Sequence, residues 1–386
     1  MTHDRLGRPL RVVVAPDKFK GSLTAVQAAA AIAAGFAAAH PDAVIVQLPV
    51  ADGGEGTVDA ALTAGFTPHR VVVQGPTGQP VTAVLAVREG TAVIEMAEAS
   101  GLRLLPLARP APLTASSYGT GELVRAALDA GASRIVLGVG GSASTDGGAG
   151  MAQALGAQLL DAAGRQVPPG GAGLAQLHRI EVADFDARLA DTEVVVASDV
   201  DNPLCGPRGA AAVYGPQKGA TADDVATLDS ALAHYAQLLR RDLNIEVADV
   251  PGAGAAGGTG AGALAFLGAR LTSGIALLLE VVGFAEAIRG ADLVITGEGS
   301  LDAQSLHGKA PIGVARAAGG IPVIALVGRL EVHAEQLRAV GITGARALLE
   351  LEPDAAIAQR DAERLLTELA GQVAAEFGTG SAADRA

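Results

Sequence analysis

Cysteine is nearly absent from this chain of 386 residues: Cys205 stands alone, so no internal disulfide framework can form. Tryptophan is missing and aromatic residues make up only 3% of the sequence, so any core must be built from small aliphatic side chains. Basic residues are outnumbered, with 28 Lys and Arg against 41 Asp and Glu and a net charge of −13. No run of Lys or Arg forms the stripe that a nucleic-acid backbone requires, so nucleic acid is not an expected partner. Long apolar runs are also lacking. Hydrophobic residues reach 49%, but much of that is alanine, and nothing approaches the roughly 20 residues needed to span a bilayer. The opening Met1-Thr2-His3-Asp4-Arg5 mixes charges and leads directly into an apolar strand, which leaves no space for a signal peptide. A cytoplasmic location without membrane association is expected. Zinc-ligand spacing, a Gly-x-Ser-x-Gly nucleophile elbow and a Walker A loop are all missing.

What the chain does have is glycine, 51 residues of it, concentrated in loops that also carry acids and hydroxyls. These are Ala51-Asp52-Gly53-Gly54-Glu55-Gly56, Gly140-Gly141-Ser142-Ala143-Ser144-Thr145-Asp146-Gly147-Gly148, and Thr296-Gly297-Glu298-Gly299-Ser300-Leu301-Asp302. Each follows an apolar run and precedes a helix-like stretch. Glycine lets backbone approach an anion, a helix N-terminus offers unpaired N–H groups to phosphate, and carboxylates hold a hard cation such as Mg²⁺. The combination points to phosphoryl transfer.

Apolar runs rich in Val and Ile alternate with alanine-rich helical stretches. Strands are expected at 11–15, 44–50, 134–139, 193–198, 292–296 and 322–327, several of them too continuously apolar to have an exposed face. Thr24 can cap a long alanine helix, with Gln27 reaching back to complete a capping box. The fold class is therefore α/β. Residues 71–87 read differently, as two short β runs around a Gly/Pro turn, and mark the start of a second domain. We expect a Rossmann-like parallel-sheet domain from residues 1–72 plus 290–380, a second α/β domain inserted at 73–289, and an active site in the cleft between them.

In an open parallel sheet, ligands sit beyond the carboxyl ends of the strands. Asp17, Lys18 and Lys20 directly follow the first strand and are candidates to meet a substrate carboxylate or phosphate; as loop charges they could equally be solvated. Asp52 and Glu298 are the candidate metal ligands, and Glu55 suits the first turn of a helix on structural grounds alone. The loop containing Gly140, Gly141, Ser142, Asp146, Gly147 and Gly148 has the composition of a phosphate cradle, and Lys309, near a helix start, is placed with it. Asp199 and Asp302 are candidates to take or orient a proton, with Asn202 nearby as a substrate contact; Asx-turn chemistry explains Asn202-Pro203 equally well. The last cluster also contains Ser305, Gln304 and His307, the histidine reading as a surface loop residue. Gly252-Ala253-Gly254-Ala255-Ala256-Gly257 matches the dinucleotide fingerprint, but Pro251 breaks any join to a strand, so a glycine-rich ligand loop is the better reading.

Five segments carry a resemblance: 14–23 with Asp17-Lys18-Phe19-Lys20-Gly21-Ser22, 49–57 with Asp52-Gly53-Gly54-Glu55-Gly56, 140–150, Tyr214-Gly215-Pro216-Gln217-Lys218-Gly219-Ala220, and 294–299. In this order, from about residue 12 to beyond 327, the chain resembles the bacterial type I glycerate kinases. The third loop departs from the Ala-Thr-Asn-Asp run frequent in that family while keeping Asp146. The resemblance implies ATP-dependent phosphorylation of D-glycerate, usually at the 2-hydroxyl, with Mg²⁺. Phosphorylation at the 3-hydroxyl or of another small hydroxy acid is the nearest alternative. An NAD-dependent oxidoreductase and a non-catalytic glycerate-binding protein rank below it. A homo-oligomer is compatible with the sequence.

Overall fold

A computed structural model describes residues 8–106, 109–303, 305–307 and 309–378. The strands, in chain order, begin with β1 (Arg11–Pro16), β2 (Val44–Gln47), β3 (Thr67–Gln74), β4 (Pro80–Arg88), β5 (Thr91–Glu95) and β6 (Arg134–Gly138). They continue with β7 (Gln158–Leu160), β8 (Arg179–Glu181), β9 (Glu193–Ala197), β10 (Arg270–Thr272), β11 (Leu293–Leu301), β12 (Val323–Leu330) and β13 (Gly344–Ala347). All six strands expected from sequence are present, with ends moved by a few residues. No helix among the described residues is long and apolar enough to cross a membrane.

The chain divides into two compact units, the first comprising Met1–Asp52, Asp59–Ala64 and Ile275–Ala386, the second Gly53–Val58 and Gly65–Gly274. The sequence-based boundaries at 72/73 and 289/290 differ from this division for a packing reason. Residues 67–72 belong to β3, which pairs antiparallel with β4 of the second unit. At the other end, Ile275, Leu279, Val282 and Phe284 join the apolar core of the first unit.

In the first unit five strands form one sheet, ordered β13-β12-β11-β1-β2, and every pairing is parallel. Val12, Val13, Val14, Val294 and Ile295 are fully buried, as expected of strands covered on both faces. Each such side chain contributes about 1.5–3 kcal/mol by leaving water. β2 is the exception: it lies at the sheet edge with Val44 exposed, so its apolar run is only half covered. The alanine helix Ala25–Ala39 has the expected capping box, Thr24 Oγ1 accepting from Gln27 N at 3.2 Å and Gln27 Oε1 accepting from Thr24 N at 2.9 Å. From β1 the chain moves outward to β2 on one side and later returns to β11 on the other. The strand order therefore reverses between β1 and β11, and the ends of these two strands form the place where an open sheet gathers ligands.

The second unit is built on a six-stranded sheet ordered β10-β9-β6-β5-β4-β3. β5, β6, β9 and β10 run parallel, while β3–β4 and β4–β5 are antiparallel hairpin pairs. β7 and β8 form a separate small antiparallel pair. The core is aliphatic, with Leu85, Ile94, Leu123, Ile135 and Met151 fully buried alongside one large ring, Tyr235.

Candidate active site

At the reversal point of the first unit the residues after β1 and those late in β11 stand side by side. The Asp17 N–H donates to the Gly297 carbonyl at 2.8 Å, which brings the Asp17 and Glu298 side chains to neighbouring positions. Both carboxyls are buried. Burial pushes Asp17 up to about 6, opposed by the Lys18 charge and reinforced by Asp52. Burial also pushes Glu298 up to about 7, against a hydrogen bond from Ser305 and the charge of Lys309. Two carboxyls raised toward neutrality in one place mark a functional site more than a structural ion pair.

Two lysines stand by these acids. Lys18 Nζ lies 3.8 Å from Asp17 Oδ1 and 3.9 Å from Asp52 Oδ1. Lys309 Nζ lies 3.7 Å from Asp302 Oδ1, and the residue caps the helix Ala310–Ala317. Asp302 is further held by Ser305, whose N–H donates to Oδ1 at 2.9 Å. The structure thus brings Asp17, Lys18, Asp52, Glu298, Asp302 and Lys309 into one group and leaves Lys20 exposed beside it. Gln304 and the side chain of His307 lie outside the described residues.

Among the described residues, no three His, Cys, Asp or Glu side chains converge as a ready-made metal cage. Mg²⁺ does not require one, since it is commonly held by one or two carboxylates together with water and substrate phosphates. Glu298 Oε1 is buried and has no hydrogen-bond partner among the described residues, an oxygen placed at cost unless a cation or donor meets it. With Asp52 in the same charge group, the donor set fits a hard divalent ion.

In the second unit the residues after β6 form the expected glycine loop. Its backbone lies against the other glycine loop, the Gly140 N–H donating to the Gly53 carbonyl at 3.2 Å. Glu95, at the end of β5, accepts from the Gly56 and Val58 N–H groups at 3.1 and 3.5 Å and so anchors the start of the helix Thr57–Thr63. Asp146 is turned inward. Its carboxylate accepts from the Ser117 N–H and hydroxyl at 2.8 and 2.9 Å and from the Gly148 and Gly150 N–H groups at 3.2 Å each. The expectation that Asp146 itself meets nucleotide is corrected accordingly: at 1% exposure it shapes the loop that Gly147 and Gly148 complete. Asn202 is also occupied structurally, accepting from the Tyr214 hydroxyl at 2.6 Å and donating to the Arg208 carbonyl at 2.8 Å. Asp199 is exposed and accepts from the Gly274 N–H at 3.0 Å at the start of the helix Gly274–Val281.

Residues 252–258 also belong to this site. The element immediately before them is the helix Ala222–Leu243, not a strand, so the dinucleotide fingerprint lacks its structural context. Ala256, Gly257 and Gly258 are all left-handed, with φ of 53°, 69° and 88°, and the Gly257 carbonyl accepts from the Gly147 N–H at 3.0 Å. A Cβ on Gly257 would lie 2.1 Å from the Ser144 carbonyl oxygen, so only glycine allows this approach. Lys218 was not singled out by sequence and is fully inside. Its Nζ donates to Ser142 Oγ at 2.9 Å and to the Ser144 carbonyl at 2.5 Å, and burial lowers it to about 7 against the raising charge of Asp146. Elsewhere in the second unit a cavity of about 470 Å³ is lined by neutral side chains, including Gln74, Thr114, Ser116, Tyr118, Gln153 and Gln166.

Comparison with known proteins shows the family. The model of the glycerate kinase family matches residues 12–378. The chain belongs to the glycerate kinase family. It is 50% identical over 353 residues to a glycerate kinase of Bacillus subtilis (strain 168), covering 90% of this chain and 91% of that one. It is also 50% identical to the glycerate 2-kinase of Escherichia coli (strain K12), over 83% of this chain and 86% of that one. A solved structure from Salmonella typhimurium LT2, assigned as glycerate kinase 2, superposes with a TM-score of 0.85 at 45% identity, covering 97% of this chain and 99% of that one. The two-unit α/β architecture and the enzyme class are those of this family.

Proposed function

We propose that the protein transfers the γ-phosphoryl group of ATP to D-glycerate at its 2-hydroxyl, releasing 2-phosphoglycerate and ADP. The observation that carries this reading is the paired raised carboxyls Asp17 and Glu298 among Lys18, Asp52, Asp302 and Lys309, in a chain of this family. Phosphoryl transfer asks little covalent chemistry of a protein; positioning and charge neutralisation dominate.

Lys18, with Asp17 beside it and Lys20 at the rim, meets the glycerate carboxylate. Asp302 and Asp199 are the candidates to orient the attacking hydroxyl and take its proton, Asp302 being the one already held in a fixed rotamer by Ser305. The loop of Gly140, Gly141, Ser142, Gly147 and Gly148 offers backbone N–H groups and a hydroxyl to phosphate oxygens, and Lys309 adds positive charge at a helix start. Asp52 and Glu298 would hold Mg²⁺, which when bound neutralises phosphate charge. Asn202 supports this site by bracing its loop. The single cysteine suits a reducing cytoplasm.

The test supplies D-glycerate, ATP and Mg²⁺, follows ADP, and adds enolase alone. Phosphoenolpyruvate formed without a mutase supports 2-phosphorylation. ADP release without it moves the reaction to the 3-hydroxyl. No ADP removes glycerate as the acceptor.

A further inference from the structure

The buried lysine of the second unit suggests a role beyond packing. Lys218 ends the short turn Pro216–Lys218 and is 2% exposed. Its ammonium is enclosed between the loop at 140–148 and the left-handed segment at 256–258, where a Cβ on Gly257 would stand 2.9 Å from Nζ. Among the described residues no carboxylate forms an ion pair with it; Asp146 acts on it from a distance while its own oxygens are taken by Ser117, Gly148 and Gly150. The segment at 252–258 brings no titratable side chain. Tyr235 packs against Gly147 and is raised by burial, so it stays neutral. A cation buried without a counter-ion is costly unless an anion completes the site.

A second observation points the same way. The hydroxyls of Ser144 and Thr145 are buried and have no hydrogen-bond partner among the described residues. An ammonium has donors and no acceptor, so Ser142 Oγ must accept from Lys218, which leaves the Ser142 hydroxyl hydrogen to be donated elsewhere. One unpaired cation and three underused hydroxyls along four consecutive residues form a site complementary to an anionic oxygen group.

We propose that Lys218 is a positioning residue that fixes the Ser142 hydroxyl as a donor and supplies the positive charge for an anionic group bound at the loop 140–148. This rests on the kinase reading above, under which that group is a nucleotide phosphate; the carboxylate of glycerate is the other source of the same chemistry. An anion beside Lys218 favours its charged form. Because burial holds the free amine near neutrality, with its value lowered to about 7, binding takes up a proton above that pH, and affinity falls as pH rises from about 7.

Isothermal titration near pH 8 in buffers of different ionisation enthalpy reads this directly, using a non-hydrolysable ATP analogue with Mg²⁺ in one arm and D-glycerate in the other. Protonation of the ligand itself is common to wild type and Lys218→Met, so their difference isolates the lysine. Proton uptake with the analogue that is lost in Lys218→Met supports the proposal with phosphate as the anion; uptake with glycerate that is lost in the variant supports it with carboxylate. No uptake in either arm, or uptake unchanged by Lys218→Met, overturns it. If Lys218→Met does not fold, Ser142→Ala keeps the lysine and must raise KM for the same ligand about tenfold or more, beyond any fall in kcat; an unchanged KM overturns the proposal. Wild-type enzyme that makes enolase-ready product without proton uptake leaves the kinase reading standing and removes only this inference.

Discussion

The two glycine-loop sites use opposite materials. In the first unit the candidate groups are side-chain charges: four carboxylates and two lysines gathered where the strand order reverses between β1 and β11. In the second, backbone N–H groups and hydroxyls line loops held together by one inward acid, Asp146, and one inward base, Lys218. The first arrangement resembles a device for handling changing charge, because burial raises two of its acids, Asp17 and Glu298. The second resembles a preformed socket, with Gly257 so close to the Ser144 carbonyl that no Cβ fits between them. A chain with 41 acids and 28 bases must solve anion binding locally, and under the proposed function Lys18, Lys309 and Lys218 supply the positive charge for it.

The largest expected effect comes from the charged site. Glu298→Gln keeps the shape and removes the ionisable group, and should lower kcat about 100–1,000-fold without lowering the melting temperature; near-wild-type kcat would show that the raised carboxyl has no part in turnover. Asp199→Ala tests whether the socket side also supplies a reacting group. A loss of turnover beyond about 100-fold assigns it a chemical role, whereas a stability loss of about 1 kcal/mol alone leaves it as an acceptor for the helix start at Gly274.

Gly257→Ala attacks the socket through geometry, setting a Cβ 2.1 Å from the Ser144 carbonyl at a φ of 69°. Urea unfolding should show a loss of about 2–4 kcal/mol, and a variant as stable as wild type would mean the loop is not tightly fitted. A smaller effect follows from pH. The folded chain holds protons on Asp17 up to about 6 and Glu298 up to about 7, while the unfolded chain releases them near the usual carboxylate values. Stability of metal-free protein should therefore decline as pH rises between these limits, and Glu298→Gln should flatten the decline; melting curves that rise across the same window would contradict the assignment. Lys20→Ala, at an exposed position, should change KM no more than about threefold.

How legible these sites were depended on where their signals lie. Continuous Val/Ile runs such as Val12-Val13-Val14 identified the buried parallel strands, and the Thr24/Gln27 capping box gave the start of the first long helix. The acidic site was readable because Asp17, Asp52, Glu298 and Asp302 each follow an apolar strand within a few residues. Lys218 was hidden: its segment 214–220 entered only as part of the resemblance, and the approach of residues 142–144 and 257, distant in sequence, is what buries it. Asp146 misled in the opposite direction, since an acid in a glycine loop reads as ligand-facing until Ser116, Ser117 and Gly150 are seen to surround it. Glu95 had a signal that was overlooked, an acid ending the wholly apolar run Ala92-Val93-Ile94.

The division between a charge-handling site and a socket is tested most directly by measuring kcat and KM for ATP and for D-glycerate in Glu298→Gln and Ser142→Ala side by side. The account predicts that the loss in Glu298→Gln falls mainly on kcat, and that the loss in Ser142→Ala falls mainly on KM for the ligand whose anion the loop receives, ATP on the present reading. Losses falling the other way round, or equally on both parameters in both variants, would contradict it.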